Sequence, residues 1–237
     1  MNAATPWKKE IETIELKSVC HAFDVSNVIR GFSLTLPQEG RIWVRGGSGV
    51  GKSVILRILA GLISPSSGEY LINGKNVSDM SFMEFQPYRL NIGYSFEFGG
   101  LMNNRTLKDN LLLPLLYHRF HEPEEIERRV SRFLHYFRIE KFQNERPASV
   151  PGGIRKAVCV ARAYLLDPEV LLLDDPATGM NDDAIKGLEA LLMDRAVGRL
   201  ALITSRNQPL MERIADYELV VSESGAELIS RKSRIAV

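Results

Sequence analysis

The chain has 237 residues, 45% of them hydrophobic and 25% charged, with a formal net charge of +1. That composition suits one large globular domain and gives no basis for wholesale binding to nucleic acid or to an anionic membrane surface. Two cysteines, Cys20 and Cys159, stand in no metal-like or redox-like spacing, which fits a reducing compartment and small buried side chains. No apolar run reaches the length of a membrane span, and the first residues, MNAATPWKKE, lack the apolar core of a signal peptide. The expectation is a cytosolic protein whose membrane contact comes through a partner.

Residues 11–45 read as three strands, IETIELKSV, VIRGFSLTL and RIWVR, with the turn PQEG before the third. GSGVGKS then leads into a helical run, VILRILAGLI. SPSSGE reads as a turn, YLINGKNV as a strand pair around Asn73-Gly74, and NIGYSF as a further strand. Pro123 opens a helix with Ile126, Val130, Phe133, Leu134 and Phe137 at helical spacing and acids in its first turn. PGGIRKAVCVARAYLL is apolar enough for a mostly buried helix. Strand VLLL follows, then a helix from about Asp183 to Ala196, strand ALITS, helix LMERIADY, and YELVVSE before a short polar tail. Strands alternating with helices imply a mostly parallel sheet, and about 98–160 reads as an inserted helical lobe.

Gly46-Gly47-Ser48-Gly49-Val50-Gly51-Lys52-Ser53 matches the Walker A pattern G-x-x-x-x-G-K-[ST]. Glycines let successive backbone N–H groups turn inward around phosphate oxygens, and the following helix from Val54 adds donors and a positive dipole end. Lys52 supplies a point charge for the β- and γ-phosphates, and the Ser53 hydroxyl is placed to ligate Mg²⁺. The context supports the pattern, with a strand before it and a helix after it. Far downstream, VLLL ends in Asp174 and Asp175. Asp174 reads as the Mg²⁺-holding acid and Asp175 as the carboxylate that polarises an attacking water; a solvated strand end is the bland alternative.

With these residues in hand, the chain resembles an ABC-type ATPase over nearly all of its length. Phe23 matches the aromatic that stacks on adenine, and Glu97, ending IGYSFE, falls at the Q-loop position. VPGGIRKAVCVARA resembles the signature stretch LSGGQ and its helix, which places Pro151, Gly152 and Gly153 against a nucleotide. DPATGMND resembles the passage into the D-loop, and Ser205 of ITSRN falls at the usual switch histidine. The resemblance implies an α/β fold: a P-loop NTPase core with a mostly parallel sheet, an N-terminal antiparallel β lobe and an inserted α-helical lobe. It implies ATP and Mg²⁺ as ligands, with Ser53, Glu97 and Asp174 at the metal. It implies an ATP sandwich with a second ATPase subunit, a homodimer before a heterodimer, on the cytoplasmic face of a membrane-spanning permease. Within the family, GGLMNNRTLKDNLLLPLLYH and GGIRKAVCVARA look most like ATPase subunits of bacterial phospholipid-trafficking (MCE-type) systems. Leu101, Met102, Leu111 to Leu113, Pro114 and Leu116 read mostly as lobe core, with two or three facing a groove for a permease helix.

Several positions depart from the family pattern. Asp175 replaces a glutamate, so its carboxylate sits about 1.5 Å further back, and a misplacement of about 1 Å can cost on the order of 100-fold in rate. Ser205 is shorter than histidine and uncharged. Glu97 keeps an oxygen for Mg²⁺ but adds a negative charge near the γ-phosphate. Pro151 lacks the signature hydroxyl, while Ile154 and Asn181 replace a glutamine and an aspartate. These losses predict slow hydrolysis, or ATP binding that holds a dimer closed with negligible turnover. A soluble ABC protein acting on DNA or ribosomes fits less well, given the near-neutral charge and the single short ATPase unit.

Overall fold

A computed structural model describes residues 8–23, 26–97, 100–118, 122–194, 198–222 and 225–231, with residues 23 and 26–28 in backbone only. Strands β1 (Ile14–Phe23), β2 (Ser26–Thr35), β4 (Ser67–Ile72) and β5 (Lys75–Asn76) form an antiparallel sheet in the order β2-β1-β4-β5. Asn73 and Gly74, with φ of 51° and 73°, make the tight turn between β4 and β5, as the Asn-Gly pair predicts. A second, six-stranded sheet takes β3 (Gly40–Arg45), β6 (Ile92–Ser95), β7 (Val170–Asp174), β8 (Leu200–Thr204), β9 (Tyr217–Ser222) and β10 (Gly225–Ser230). Its order is β10-β9-β3-β8-β7-β6, and every pair except β9–β10 is parallel.

Both faces of this mixed sheet are covered, so its strands read as continuous apolar runs. Alternate residues of β7 go to opposite sides. Val170 and Leu172 join Val44, Leu202 and the helix α1 (Lys52–Leu59) in a core shared with the antiparallel sheet. Leu171 and Leu173 join Trp43, Ala201 and Ile203 in a second core. That core is closed by α3 (Leu107–His118), α4 (Pro123–Tyr136), α5 (Gly152–Tyr164), α6 (Asp182–Met193) and α7 (Gln208–Ile214). Helices α3, α4 and α5 lie between β6 and β7 in the chain and form the helical insert. Its last helix runs to Tyr164, past the expected limit near 160, because α5 also packs its buried face under the sheet. The expected start, residue 98, lies outside the described residues.

Several elements differ from expectation; α7 ends at Ile214, and Tyr217, expected at the end of that helix, opens β9. Helix α2 (Phe82–Arg89) was not expected, because Pro87 and a weak apolar stripe hide it. Its signal was the capping box: Ser81 Oγ accepts from the Glu84 N–H, and Glu84 Oε2 accepts from the Ser81 N–H at 2.8 Å. The polar tail contains β10, which gains its partner only when β9 is in place. Helix α6 stops at Met193 instead of Ala196, and residue 196 lies outside the described residues.

Candidate active site

Strands β3, β8 and β7 run side by side in parallel, so their carboxyl ends meet at one sheet edge. Val44 pairs with Thr204, and Thr204 pairs with Asp174. Beyond such an edge open α/β sheets hold their ligands. Here it opens into a pocket of about 970 Å³ lined by the phosphate loop, Glu97, Asp174, Asp175, Thr204, Ser205 and Arg206.

The loop leaves β3 at Gly46, whose φ is 152°. A Cβ there would come within 2.4 Å of the Val221 carbonyl oxygen, so the chain passes β9 only as glycine. Gly51, at φ 93°, then turns the chain into α1. Lys52 Nζ donates to the carbonyls of Gly46 at 2.8 Å and Gly47 at 2.5 Å, which folds the ammonium over the loop. Burial, then the nearby Arg206 charge, lower its pKa below the ordinary lysine value.

Asp174 is 2% exposed at the end of β7. Its Oδ1 accepts from Ser53 Oγ at 3.0 Å and Thr204 Oγ1 at 2.8 Å. Its Oδ2 is buried without a protein hydrogen-bond partner. A buried carboxylate oxygen without a donor beside a serine hydroxyl fits a hard divalent cation. No cluster of three or more His, Cys, Asp or Glu converges on a metal among the described residues.

Asp175 follows in the left-handed region, at φ 44°. Its N–H donates to Thr204, to the carbonyl at 3.1 Å and to Oγ1 at 2.9 Å. This tie swings the carboxylate out of the strand line toward the pocket. Oδ1 is buried without a partner, and Oδ2 lies 3.8 Å from Arg206 Nε.

Among the expected site residues, Gly46, Ser48, Gly49, Gly51, Lys52, Ser53, Val54, Glu97, Asp174, Asp175 and Ser205 share this pocket. Gly47 takes part through its carbonyl, and Val50 packs beneath the loop against the antiparallel-sheet core. Ser205 Oγ accepts from the Asn207 N–H at 3.1 Å, so the hydroxyl serves the turn into α7. Pro151 caps α5, and Gly152 and Gly153 open it outside the pocket. The side chain of Phe23 lies outside the described residues.

Three residues of the site were not anticipated. Thr204 links both acids. Lys156, only 5% exposed, donates to the carbonyls of Phe96 at 2.6 Å, Glu97 at 3.1 Å and Asp174 at 2.6 Å. It ties α5 to the segment after β6 and to the end of β7, and burial lowers its pKa. A lysine on the apolar face of PGGIRKAVCVARA was the available signal. Arg206 carried no signal beyond following Ser205.

The chain matches the family described as ABC transporter over residues 29–178. It is 31% identical to a methionine import ATP-binding protein, MetN, of Rhizobium johnstonii over 212 residues, covering 89% of this chain and 58% of that protein. It is 31% identical over 205 residues to a probable ribonucleotide transport ATP-binding protein, mkl, of Mycobacterium leprae, covering 86% of this chain and 59% of that one. The chain thus spans about three fifths of the length of these relatives. Its fold is shared with a dimeric ATP-binding cassette in a post-hydrolysis state bound to ADP and Pi. There the TM-score is 0.80 at 22% identity, over 92% of this chain and 98% of that one. It is also shared with the ATP-binding subunit of an ABC transporter, at TM-score 0.79 and 24% identity, over 93% and 91% of the two chains. The phosphate loop, the paired acids at the end of β7 and the family match agree, and the chain belongs to the ABC transporter family as an ATP-binding cassette.

Proposed function

We propose that residues 1–237 form one ATPase domain that binds Mg²⁺-ATP, dimerises around it and drives a membrane transport complex from its cytoplasmic face. The observation that carries this reading is Asp174. It is held by Ser53 and Thr204 with one oxygen left unpartnered at the mouth of the phosphate loop. When bound, Mg²⁺ neutralises phosphate charge. Ser53, Asp174 and Glu97 would hold it, Lys52 and the loop N–H groups would hold the phosphates, and Asp175 would accept the proton of the attacking water. Pro151, Gly152 and Gly153 lie outside the pocket on their own chain, which leaves them for the nucleotide of a second subunit, most simply an identical one.

Hydrolysis is slow in this reading. Asp175 is one methylene short of a glutamate, Ser205 is short and uncharged, Glu97 adds negative charge and Pro151 lacks a hydroxyl. A second reading, an ATP clamp without turnover, requires the Arg206 pair to stay on Asp175 in the ATP-bound state. Turnover of Mg²⁺-ATP in the complex with its permease separates the two. A native rate that falls at least tenfold in Asp175→Asn makes Asp175 the working carboxylate. Equal background rates with retained ATP binding make the chain a clamp.

No helix among the described residues is long and apolar enough to cross a membrane. The partner surface proposed is an apolar cleft of about 420 Å³ between α2, β6 and α3, with Phe82, Phe96 and Tyr117 on its wall. On the helical insert Met102, Leu113 and Leu116 are exposed, whereas Leu111 is buried and Leu101 and Leu112 pack against the core. A short amphipathic permease helix fits such a groove. The cargo reading, a lipid, rests on the two stretches GGLMNNRTLKDNLLLPLLYH and GGIRKAVCVARA alone. The relatives carry names of methionine import and ribonucleotide transport, which lend it no support.

A further inference from the structure

We propose that Arg206, not Ser205, is the residue that recognises the γ-phosphate, and that it is held on Asp175 until a triphosphate arrives. The inference rests on the ATP reading above and assigns the ligand that distinguishes ATP from ADP in the same pocket.

The backbone around Arg206 is fixed on both sides. Thr204 is locked into the sheet and to both acids. The Asn207 N–H is taken by Ser205 Oγ, and Asn207 Oδ1 caps α7 by accepting from the Leu210 N–H at 3.1 Å. The Gln208 N–H donates to the Arg206 carbonyl at 3.0 Å. Only the side chain has latitude: it is 87% exposed, yet it lines the phosphate pocket and approaches Asp175 Oδ2 to 3.8 Å. Ser205 accepts from the Asn207 N–H and keeps its O–H to donate, but it is a single uncharged donor on a short side chain, against the charged fork of Arg206. Arg206 is thus the charged side chain of this turn that lines the pocket with Lys52.

An exposed pair at this separation is weak. A guanidinium offers a planar fork of donors that matches two phosphate oxygens, and a γ-phosphate carries more charge than one carboxylate. A triphosphate therefore draws Arg206 away from Asp175. The same movement frees Asp175 Oδ2 to accept from water. ADP, which stops short of this position, leaves the ion pair in place. Loss of the γ-phosphate contact should be the main effect: among the described residues Arg206 reaches Lys52 only through its charge, and no hydrogen bond ties it to the phosphate loop or to the Asp174–Ser53 pair.

The test is equilibrium binding of Mg²⁺-ADP and of a non-hydrolysable Mg²⁺-ATP analogue to the full chain. Native protein, Arg206→Ala and Arg206→Lys are compared. Because the side chain is exposed, neither variant should disturb folding, and matching Tm values check this. The expected result is a roughly 10- to 100-fold loss of analogue affinity in Arg206→Ala, with ADP affinity unchanged within about twofold. Arg206→Lys should recover part of the loss. Equal weakening of both nucleotides, no weakening of either, or a triphosphate-specific loss in Ser205→Ala instead would overturn the assignment to Arg206 while leaving the ATP reading intact. Failure of the native chain to bind either nucleotide would overturn both.

Discussion

Asp174 and Asp175 are neighbours with different tasks because one backbone rotation separates them. Asp174 is the last residue of a fully buried strand, so its carboxylate faces Ser53 and Thr204. At Asp175 the chain enters φ 44°, and its N–H bonds to Thr204 hold it there. The acid pair and the phosphate loop are legible from residue types, since few other arrangements use them. Thr204, Lys156 and Arg206 are not, because each acts through atoms that any threonine, lysine or arginine carries. Lys156 makes the clearest prediction at this scale. Its ammonium serves three carbonyls from two other segments, and Lys156→Met leaves them without a donor. The expected cost is about 1–3 kcal/mol, read as a fall in Tm of several degrees. An unchanged Tm would mean that water replaces the ammonium at no cost.

Elements are legible in the sequence where they carry a period and a punctuation mark. The helix opened by Pro123 and the Asn73-Gly74 turn fall where the pattern puts them. Helix α3 was harder: LLLPLLY is apolar on every side, so no stripe betrays it. Its start is fixed by Thr106 and Asp109, each accepting from the other's N–H, at 3.0 and 3.1 Å. The start of α5 is set by contact instead. At Gly153 a Cβ would lie 1.9 Å from the Gly179 carbonyl oxygen, so α5 abuts the loop between β7 and α6. Gly153→Ala must push that loop away. We expect a loss of about 1–3 kcal/mol, measured by chemical denaturation. A variant as stable as the native chain would show that the loop between β7 and α6 yields freely.

At the scale of the whole molecule, the proposed function gives two faces a partner each. The phosphate pocket opens at the sheet edge, and the apolar cleft sits where α2, β6 and α3 meet. The segment Phe96–Glu97 joins them: Phe96 lines the cleft, Glu97 lines the pocket, and Lys156 grips both carbonyls. A charge in the cleft should therefore break docking without touching the nucleotide. Tyr117→Glu, at a cleft residue 77% exposed, is expected to fold and bind ATP as the native chain does, yet to lose co-purification with the proposed permease at least tenfold. Full retention of the permease would place docking elsewhere.

Residue order alone determined the phosphate loop, the acid-ended strand, most strands and helices, and the α/β class, because these follow from local period, glycine placement and charge. Tertiary structure decided the rest. Ser53 and Asp174 are 121 residues apart, and Lys156 reaches back 60 residues to Phe96. Arg206 meets Asp175 only because β8 lies beside β7 in parallel register. Such meetings depend on which strands become neighbours and on which way each side chain leaves its strand. Those are properties of the packed sheet, set by burying both of its faces at once.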